Sequence, residues 1–595
     1  MFPVVFIALA AIAVDTARWY VEVQRVQNAA DAGALAGVPY MPQDLVNARS
    51  TALTVTARNG FTDGAGGVVV QAEQGNRPSE LKVTVTSTVQ NAFGRLIGTP
   101  STTISRSATS DYTGPAPMGS PCNTFGNEPL SGSGGAKDVS GGTGSALPSV
   151  APFPNCSSTP DFWATIEGPG TGKVQGDRYQ TKGCGNAGVD ECTGLTNDEY
   201  NEQGYFWTVK VAAGAVGTPV DLQLYDPEFA HTPPAGFSGT TYQCGTLPEP
   251  AVLDDDMNDY VGTDGKTRYT SGYYTAAASA FCPGDGNPGY GSGPSSSNVM
   301  TTSFVLREQT DTMNPMKAAV QKDTSGSACI KQYRGVGSVP TYGDLKKGDA
   351  AYDDHLAQTF HNWVSFCTFT PTRTGDYYIQ VRSNVSAGGS SLTNTNGKGS
   401  IIYSGNTAAA EPTGNTTTGT GANSFAMRAV TLSGKEKAVS VSGYDRMPIF
   451  ANTDDAETTF NLIRVLPGAA GQYVSFSFFD VADVTGSGTG SVQVLPPSDA
   501  TGTITSVPFP GSCKASGGYA GAGQVLSGCS ATVSNAKNNG AVETMSIPIP
   551  TDYSCDYASA GGCWYRVKVS FPGNKVNDTT TWDASIVGDP IRLVE

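Results

Sequence analysis

The sequence predicts a mainly β protein, with a long N-terminal α-helix beside a small α/β sheet and two β-sandwiches of jelly-roll-like type behind it. Three observations lead there. The 595 residues include 73 Gly and 37 Pro but only 15% charged side chains, which is the composition of turn-dense β structure rather than of helical bundles. Short runs that alternate apolar and polar residues, such as "VDLQLYD" and "VSFSFFD", recur between Gly-, Ser- and Thr-rich turns. The first 37 residues, by contrast, carry a helical period. A chain of this length holds several domains. Pattern and composition place an assembly helix at 1–36, a linker at 113–125 around "GPAPMGSPC", one sandwich with long loop insertions at 126–432 and a second sandwich at 433–595.

The helix opens with an apolar tip that includes Phe2, Val5, Phe6, Leu9 and Ile12 and stops at Asp15, followed by Arg18. Thirteen or so residues rise only about 20 Å as a helix, short of the roughly 30 Å hydrocarbon core of a bilayer. From Trp19 the positions Val23, Val26, Ala30, Gly33 and Gly37 follow in alternating steps of four and three, a heptad-like seam. Ala29, Gly33 and Gly37 form a row of small residues, which lets another helix come close. The pattern predicts insertion into a membrane or a bundle of like helices, with Asp15 and Arg18 pairing across subunits.

The string "VDTARWYVEVQRVQNAADAGALAG", with Asp15 followed by Gln27, Asn28, Ala29, Ala30, Asp31, Ala32, Ala34, Leu35, Ala36 and Gly37, resembles the N-terminal signature of TadE/TadG-like (tight adherence) pilus-assembly proteins. In that family the apolar helix usually begins further upstream, so Met1 reads as an internal residue of a longer apolar segment. The resemblance spans about residues 1–112. It implies a pilin-like unit with a small α/β module at 37–112: "ARSTALTVTARNGF" as a helix, "GGVVVQAE", "ELKVTVTSTV" and "TTISRSATSDY" as strands, and "AFGRLIG" as a helical turn. It further implies a cell-surface location and, as partners, other copies in a filament, the membrane before assembly and a Tad-type assembly machinery.

Past residue 115 the chain is read on its own. "FWTVKVAAGAVGTPVDLQLYD" from Phe206 lies over "FNLIRVLPGAAGQYVSFSFFD" from Phe460 at a constant offset of 254 with seven identities and no gap, a pattern that indicates duplication. Each copy predicts strand, Gly-rich turn, strand. Around the first, "DFWATIEG", "TTSFVLREQ", "HNWVSFCTFTP", "GDYYIQVRS" and "SFAMRAV" complete a sandwich; around the second, "AVSVSGYD", "GSVQVLPP", "ETMSIPIP", "CWYRVKVSFP" and "TWDASIVGDPIRLVE" do so. The insertion from Asp254 carries Tyr269, Tyr273, Tyr274 and Tyr290, which suit stacking on sugar faces and make surface glycans a second class of partner.

A net charge of −16 excludes the basic stripe that a nucleic-acid partner needs. The three histidines, His231, His355 and His361, fit no metalloprotease spacing and no nucleophile elbow, so the chain reads as non-enzymatic. "DTSGS" at Asp323–Ser327 matches a D-x-S-x-S metal-adhesion string but lacks the strand that should precede it. The twelve cysteines, Cys122, Cys156, Cys184, Cys192, Cys244, Cys282, Cys329, Cys367, Cys513, Cys529, Cys555 and Cys563, include no C-x-x-C pair. Their even number predicts disulfides and an oxidising, extracytoplasmic compartment. Calcium is the metal that suits the oxygen-rich loops: Asp198, Asp226, Asp454, Asp455, Asp480 and Asp483 are the candidate ligands. The functional expectation is a structural subunit of a bacterial surface filament that polymerises through its N-terminal helix and displays the sandwiches outward. A membrane-tethered adhesin or carbohydrate-binding module, or a minor component of a Tad-type system, is the alternative.

Overall fold

The computed structural model describes residues 2–41, 45–76, 80–112, 116–126, 162–185, 188–229, 285, 300–310, 314–335, 344, 348–353, 356, 359–360, 363–383, 385–386, 390–393, 401–404, 413–415, 419–453, 457–481, 489–506, 513–518, 521–558, 561–572, 576–587 and 591–594, with side chains of 2–11 outside the description. The fold is mainly β, 46% strand against 19% helix, behind one long helix. The chain forms two compact units, one built on Met1–Gly114 with Val587–Glu595, the other on Pro115–Thr310 and Asn314–Ile586.

In the first unit, helix α1 (Phe2–Gly37) and helix α2 (Leu45–Arg58) lie against an antiparallel sheet of β1 (Val69–Gln74), β2 (Glu80–Gln90) and β3 (Ser101–Tyr112). "AFGRLIG" contains the expected helical turn, a 3-10 segment at Gly94–Ile97. Alternation along β2 sends Leu81, Val83 and Val85 into a core shared with Val26, Ala29, Ala30 and Ala34 of α1 and Ala48 and Ala52 of α2. The strand Ile591–Val594, expected to end the second sandwich, instead pairs with β3 as the fourth strand of this sheet, Thr109 opposite Val594. Strand pairing satisfies an edge that β3 would otherwise leave open.

The second unit is a pair of facing antiparallel sheets. Its strands are β4 (Pro117–Gly119), β5 (Phe162–Glu167), β6 (Tyr205–Val211), β7 (Val220–Tyr225), β8 (Thr301–Arg307), β9 (Ile330–Arg334), β10 (Trp363–Phe369), β11 (Gly375–Ser383), β12 (Ala422–Val430), β13 (Val439–Tyr444), β14 (Arg446–Thr453), β15 (Glu457–Arg464), β16 (Tyr473–Phe479), β17 (Thr489–Leu495), β18 (Lys514–Gly517), β19 (Gly521–Val525), β20 (Ser530–Ser534), β21 (Val542–Pro548), β22 (Trp564–Ser570) and β23 (Val576–Val587). Pairing gives one sheet in the order β9-β8-β11-β6-β13-β4-β15-β22-β17-β20, with Ile401–Ser404 and then Ser390–Thr393 added beyond β9. The other runs β10-β7-β12-β5-β14-β23-β16-β21-β18-β19. Aromatic rings fill the space between them: Phe304 of the first sheet meets Phe425 of the second at 5.0 Å, and Phe460 meets Trp582 at 5.1 Å, both edge to face.

The copied strands are placed symmetrically, β6 and β15 on either side of β13-β4 and β7 and β16 on either side of β12-β5-β14-β23, which is how the duplication shows itself in space. The turns of the copied hairpins, Ala213–Ala215 and Pro467–Ala469, are both 3-10, and Gly217 and Gly471 follow them at φ 76° and 82°, the left-handed region that glycine enters without cost. The halves exchange a strand. β13, expected to open the second sandwich, lies beside β6 of the first half, Val439 opposite Val211. The corresponding place beside β15 is taken by β4 from the segment read as a linker, Gly119 opposite Asn461. The boundary drawn at 432/433 therefore passes through a continuous ladder rather than between two packed bodies, and one buried apolar cluster runs from Met118 and Phe125 to Trp582.

Candidate functional site

Two places in the molecule combine sequence signal with unusual geometry, one in each unit. In the first, α1 divides at Asp15. Beyond it toward the N-terminus Ile12 and Val14 are 53% and 46% exposed, and just after it Tyr20 and Val21 are exposed as well. From Val26 onward one face of the helix, with Val26, Ala29, Ala30, Gly33, Ala34 and Gly37, is sunk in its own unit, while Asn28 stays exposed. A Cβ placed on Gly33 would stand 2.8 Å from Thr56 Cγ2, and one on Gly37 would stand 2.6 Å from the Ala48 carbonyl oxygen and 2.5 Å from Leu81 Cδ2. The small row thus admits a helix, as expected, but that helix is α2 of the same unit. Trp19 donates its indole N–H to Asn91 Oδ1 at 2.8 Å.

Asp15 is not waiting for a partner subunit's arginine. It is buried, and its carboxylate accepts the backbone N–H groups of Ala92 (2.7 Å), Phe93 (3.0 Å) and Gly94 (2.7 Å). Desolvation pushes its pKa up, but these three bonds and the nearby Arg18 outweigh it and hold the group below the usual carboxylate range. The acid in the helix is therefore explained by the turn it caps. Among the described residues no helix is long and apolar enough to cross a membrane.

In the second unit the duplicated hairpins end in Asp226 and Asp480, both buried and both with positive φ. Asp480 accepts the Gly540 N–H at 2.6 Å. The insertion between β5 and β6 covers this end: Val174 and Val189 pack with Phe479, and Asp190 accepts the Val542 N–H at 2.8 Å. The cover is pinned by the Cys184–Cys192 disulfide and by Arg178, which grips Glu199 twice at 2.6 Å and Asp583 at 3.1 Å. Beneath it lies Glu167, which no motif marks out. It is fully buried and neither carboxyl oxygen has a hydrogen-bond partner. Burial, then repulsion from Asp177, Asp480 and Asp578, pushes its pKa well above the ordinary glutamate range. Asp177 differs in being fully satisfied, by Tyr205 Oη (2.6 Å) and the N–H groups of Glu167, Gln180 and Tyr179.

The calcium ligands read from sequence are not gathered by the structure. Asp198 bonds Thr193 in a surface turn, Asp226 and Asp480 belong to different halves, and Asp454, Asp455 and Asp483 lie outside the described residues. Among the described residues no group of three or more His, Cys, Asp and Glu is placed to hold a metal ion. Asp323 closes a local loop, accepting N–H from Ser325 (2.9 Å) and Ser327 (2.8 Å), as the missing strand anticipated. Among the described residues four disulfides have both partners in place, Cys184–Cys192, Cys329–Cys367, Cys513–Cys529 and Cys555–Cys563, and Cys122 is disulfide-bonded as well. Cys156, Cys244 and Cys282, the three histidines and the Tyr269–Tyr290 aromatics lie outside the described residues.

Comparison with known families finds one match: residues 1–48 fit the family described as Putative Flp pilus-assembly TadE/G-like. The match covers α1, the segment after it and the start of α2, and agrees with the resemblance read from Asp15 to Gly37. No curated protein and no solved structure matches the chain.

Proposed function

We propose that the protein is a non-enzymatic structural subunit of a Tad-type surface pilus or filament, polymerising through the N-terminal part of α1 and displaying the paired sheets outward. The observation that carries this reading is the division of α1 at Asp15. The family match to residues 1–48 points to a Tad pilus-related role at the cell surface. Within that segment, one face from Val26 to Gly37, with Val26, Ala29, Ala30 and Ala34, is committed to the unit's own core, whereas Ile12, Val14, Tyr20 and Val21 are exposed. Large apolar side chains left exposed along one end of a helix mark a candidate contact site. The assembly surface is thus residues 2–21 rather than the small row. Its apolar tip rests in membrane before assembly and among neighbouring helices afterwards.

The disulfides support an oxidising, extracytoplasmic setting. Calcium remains part of the reading as a cation that the oxygen-rich loops take up, and the buried, donor-free carboxyl of Glu167 is where its charge would register most in stability. Imaging surface filaments of producing cells by cryo-electron microscopy tests the proposal. A filament with α1 at its axis and the paired sheets outside supports it; filaments lacking this chain, with the protein dispersed singly on the surface, give way to the tethered adhesin or carbohydrate-binding reading.

A further inference from the structure

The turn at residues 92–97 is tied to α1 at the level where that helix leaves its unit. Asp15 holds the N–H groups of Ala92, Phe93 and Gly94, and Ile12 lies one helical turn before Asp15 on the same face. Phe93 is 42% exposed at this end, and Arg18 and Arg95 are exposed beside it. On α1 before Glu22 the one acid is Asp15, whose buried carboxylate offsets part of this charge, and Glu22 itself accepts the Ser87 hydroxyl. In a chain of net charge −16, this end therefore presents apolar surface with a local positive charge.

From this we infer that the 92–97 turn is a second membrane-contacting element, with Phe93 entering the interfacial layer of an anionic bilayer and Arg18 and Arg95 at its headgroups. The inference rests on the proposed membrane residence of α1 and specifies what stands at the membrane surface beside it. Stable membrane attachment commonly needs two such signals, an apolar insertion and basic residues that meet anionic lipid. Asp15 supplies the rigidity: by fixing the turn to the helix it makes insertion of one element deliver the other. Asp15 is thereby a positioning residue for the contact.

Flotation of the full chain with phosphatidylcholine vesicles, with and without a quarter of phosphatidylglycerol, tests this directly. The expected result is that Phe93→Asp lowers the partition coefficient at least tenfold while Phe93→Leu leaves it within twofold. The double variant Arg18→Gln, Arg95→Gln should lose binding to the anionic vesicles only. Phe93→Trp should add emission that brominated lipid quenches. If the chain partitions but Phe93→Asp and the arginine pair change it by less than twofold, the turn is no membrane contact and the α1 reading stands alone. If the chain does not partition into either vesicle, both fall. If Phe93→Asp abolishes self-association in lipid-free solution without changing partition, the face belongs to a second copy and the inference is overturned.

Discussion

Asp226 and Asp480, 254 residues apart, end the two copies of one hairpin in the same left-handed backbone conformation, φ 50° and 62°, and both are buried. A left-handed residue with a Cβ costs roughly 1–2 kcal/mol unless its side chain compensates. At position 480 the carboxylate does so by accepting the Gly540 N–H. Asp480→Ala removes the bond and keeps the strain, and should lower the unfolding free energy of the sheet unit by roughly 2–3 kcal/mol. Asp480→Gly should cost less than Ala because the strain goes with the Cβ. Denaturant titration of the two variants checks the order, which would be reversed if packing alone fixed the position.

Glu167 predicts a pH dependence of unusual sign. Its folded pKa is raised, so the native state holds the proton more tightly than the unfolded chain does. The stability this contributes is present below the ordinary glutamate pKa and is lost as pH rises through the folded value. Melting temperature should therefore fall as pH rises above the ordinary glutamate range, and Glu167→Gln should flatten that slope. A bound cation would neutralise the same buried charge, so calcium should raise the melting temperature at pH 8 more than at pH 5 in the native chain and not in Glu167→Gln. Equal melting curves with calcium and after thorough chelation at both pH values would remove calcium from the account.

The small row of α1 makes a prediction about the first unit alone. Gly37→Ala drives a methyl against Leu81 Cδ2 and the Ala48 backbone oxygen, and the oxygen cannot move out of the way cheaply. It should cost about 1–3 kcal/mol of that unit's stability. Hydrogen exchange should show lost protection from Val26 to Gly37 and in α2, with the strands of the paired sheets unchanged. Full protection of α2 in the variant would mean that the row packs elsewhere.

Loop-closure entropy ranks two of the disulfides. Cys329–Cys367 encloses a separation of 38 residues and joins the start of β9 in one sheet to β10 in the other, whereas Cys184–Cys192 spans 8 within a surface insertion. The chain-entropy relation gives about 4 kcal/mol for the first and about 2.5 kcal/mol for the second. Ser pairs in place of each should lower the chemical midpoint in that order, and the reverse order would show that the insertion's hold on Asp480 outweighs entropy.

What the sequence made legible follows from where its signals were local. The copied hairpins could be read because Gly217 and Gly471 are turn residues and the alternation beside them needs no distant partner. The turn at "AFGRLIG" was read for the same reason. The exchange of β4 and β13 was not, since Pro117–Gly119 is three residues in a Pro- and Gly-rich string and its partner Asn461 lies 342 positions away. Ala29, Gly33 and Gly37 announced close approach of a helix, but a row of small residues does not say whose helix comes. Asp15 looked like a charge seeking a partner because its three donors are backbone groups, which carry no side-chain signature. Glu167, a single acid at the end of "FWATIE", reads as a solvated strand end until the insertion that buries it is in place.

The central claim is that residues 2–21 build the assembly. Deleting residues 2–14 leaves Asp15 and the buried half of α1 intact, so the truncated chain should keep the fold of both units by hydrogen exchange. Electron microscopy with sedimentation of the full and truncated chains, purified identically, is the most direct measurement. Filaments from the full chain and a folded monomer from the truncated one is the result this account predicts. Native-like filaments from the truncated chain would contradict it.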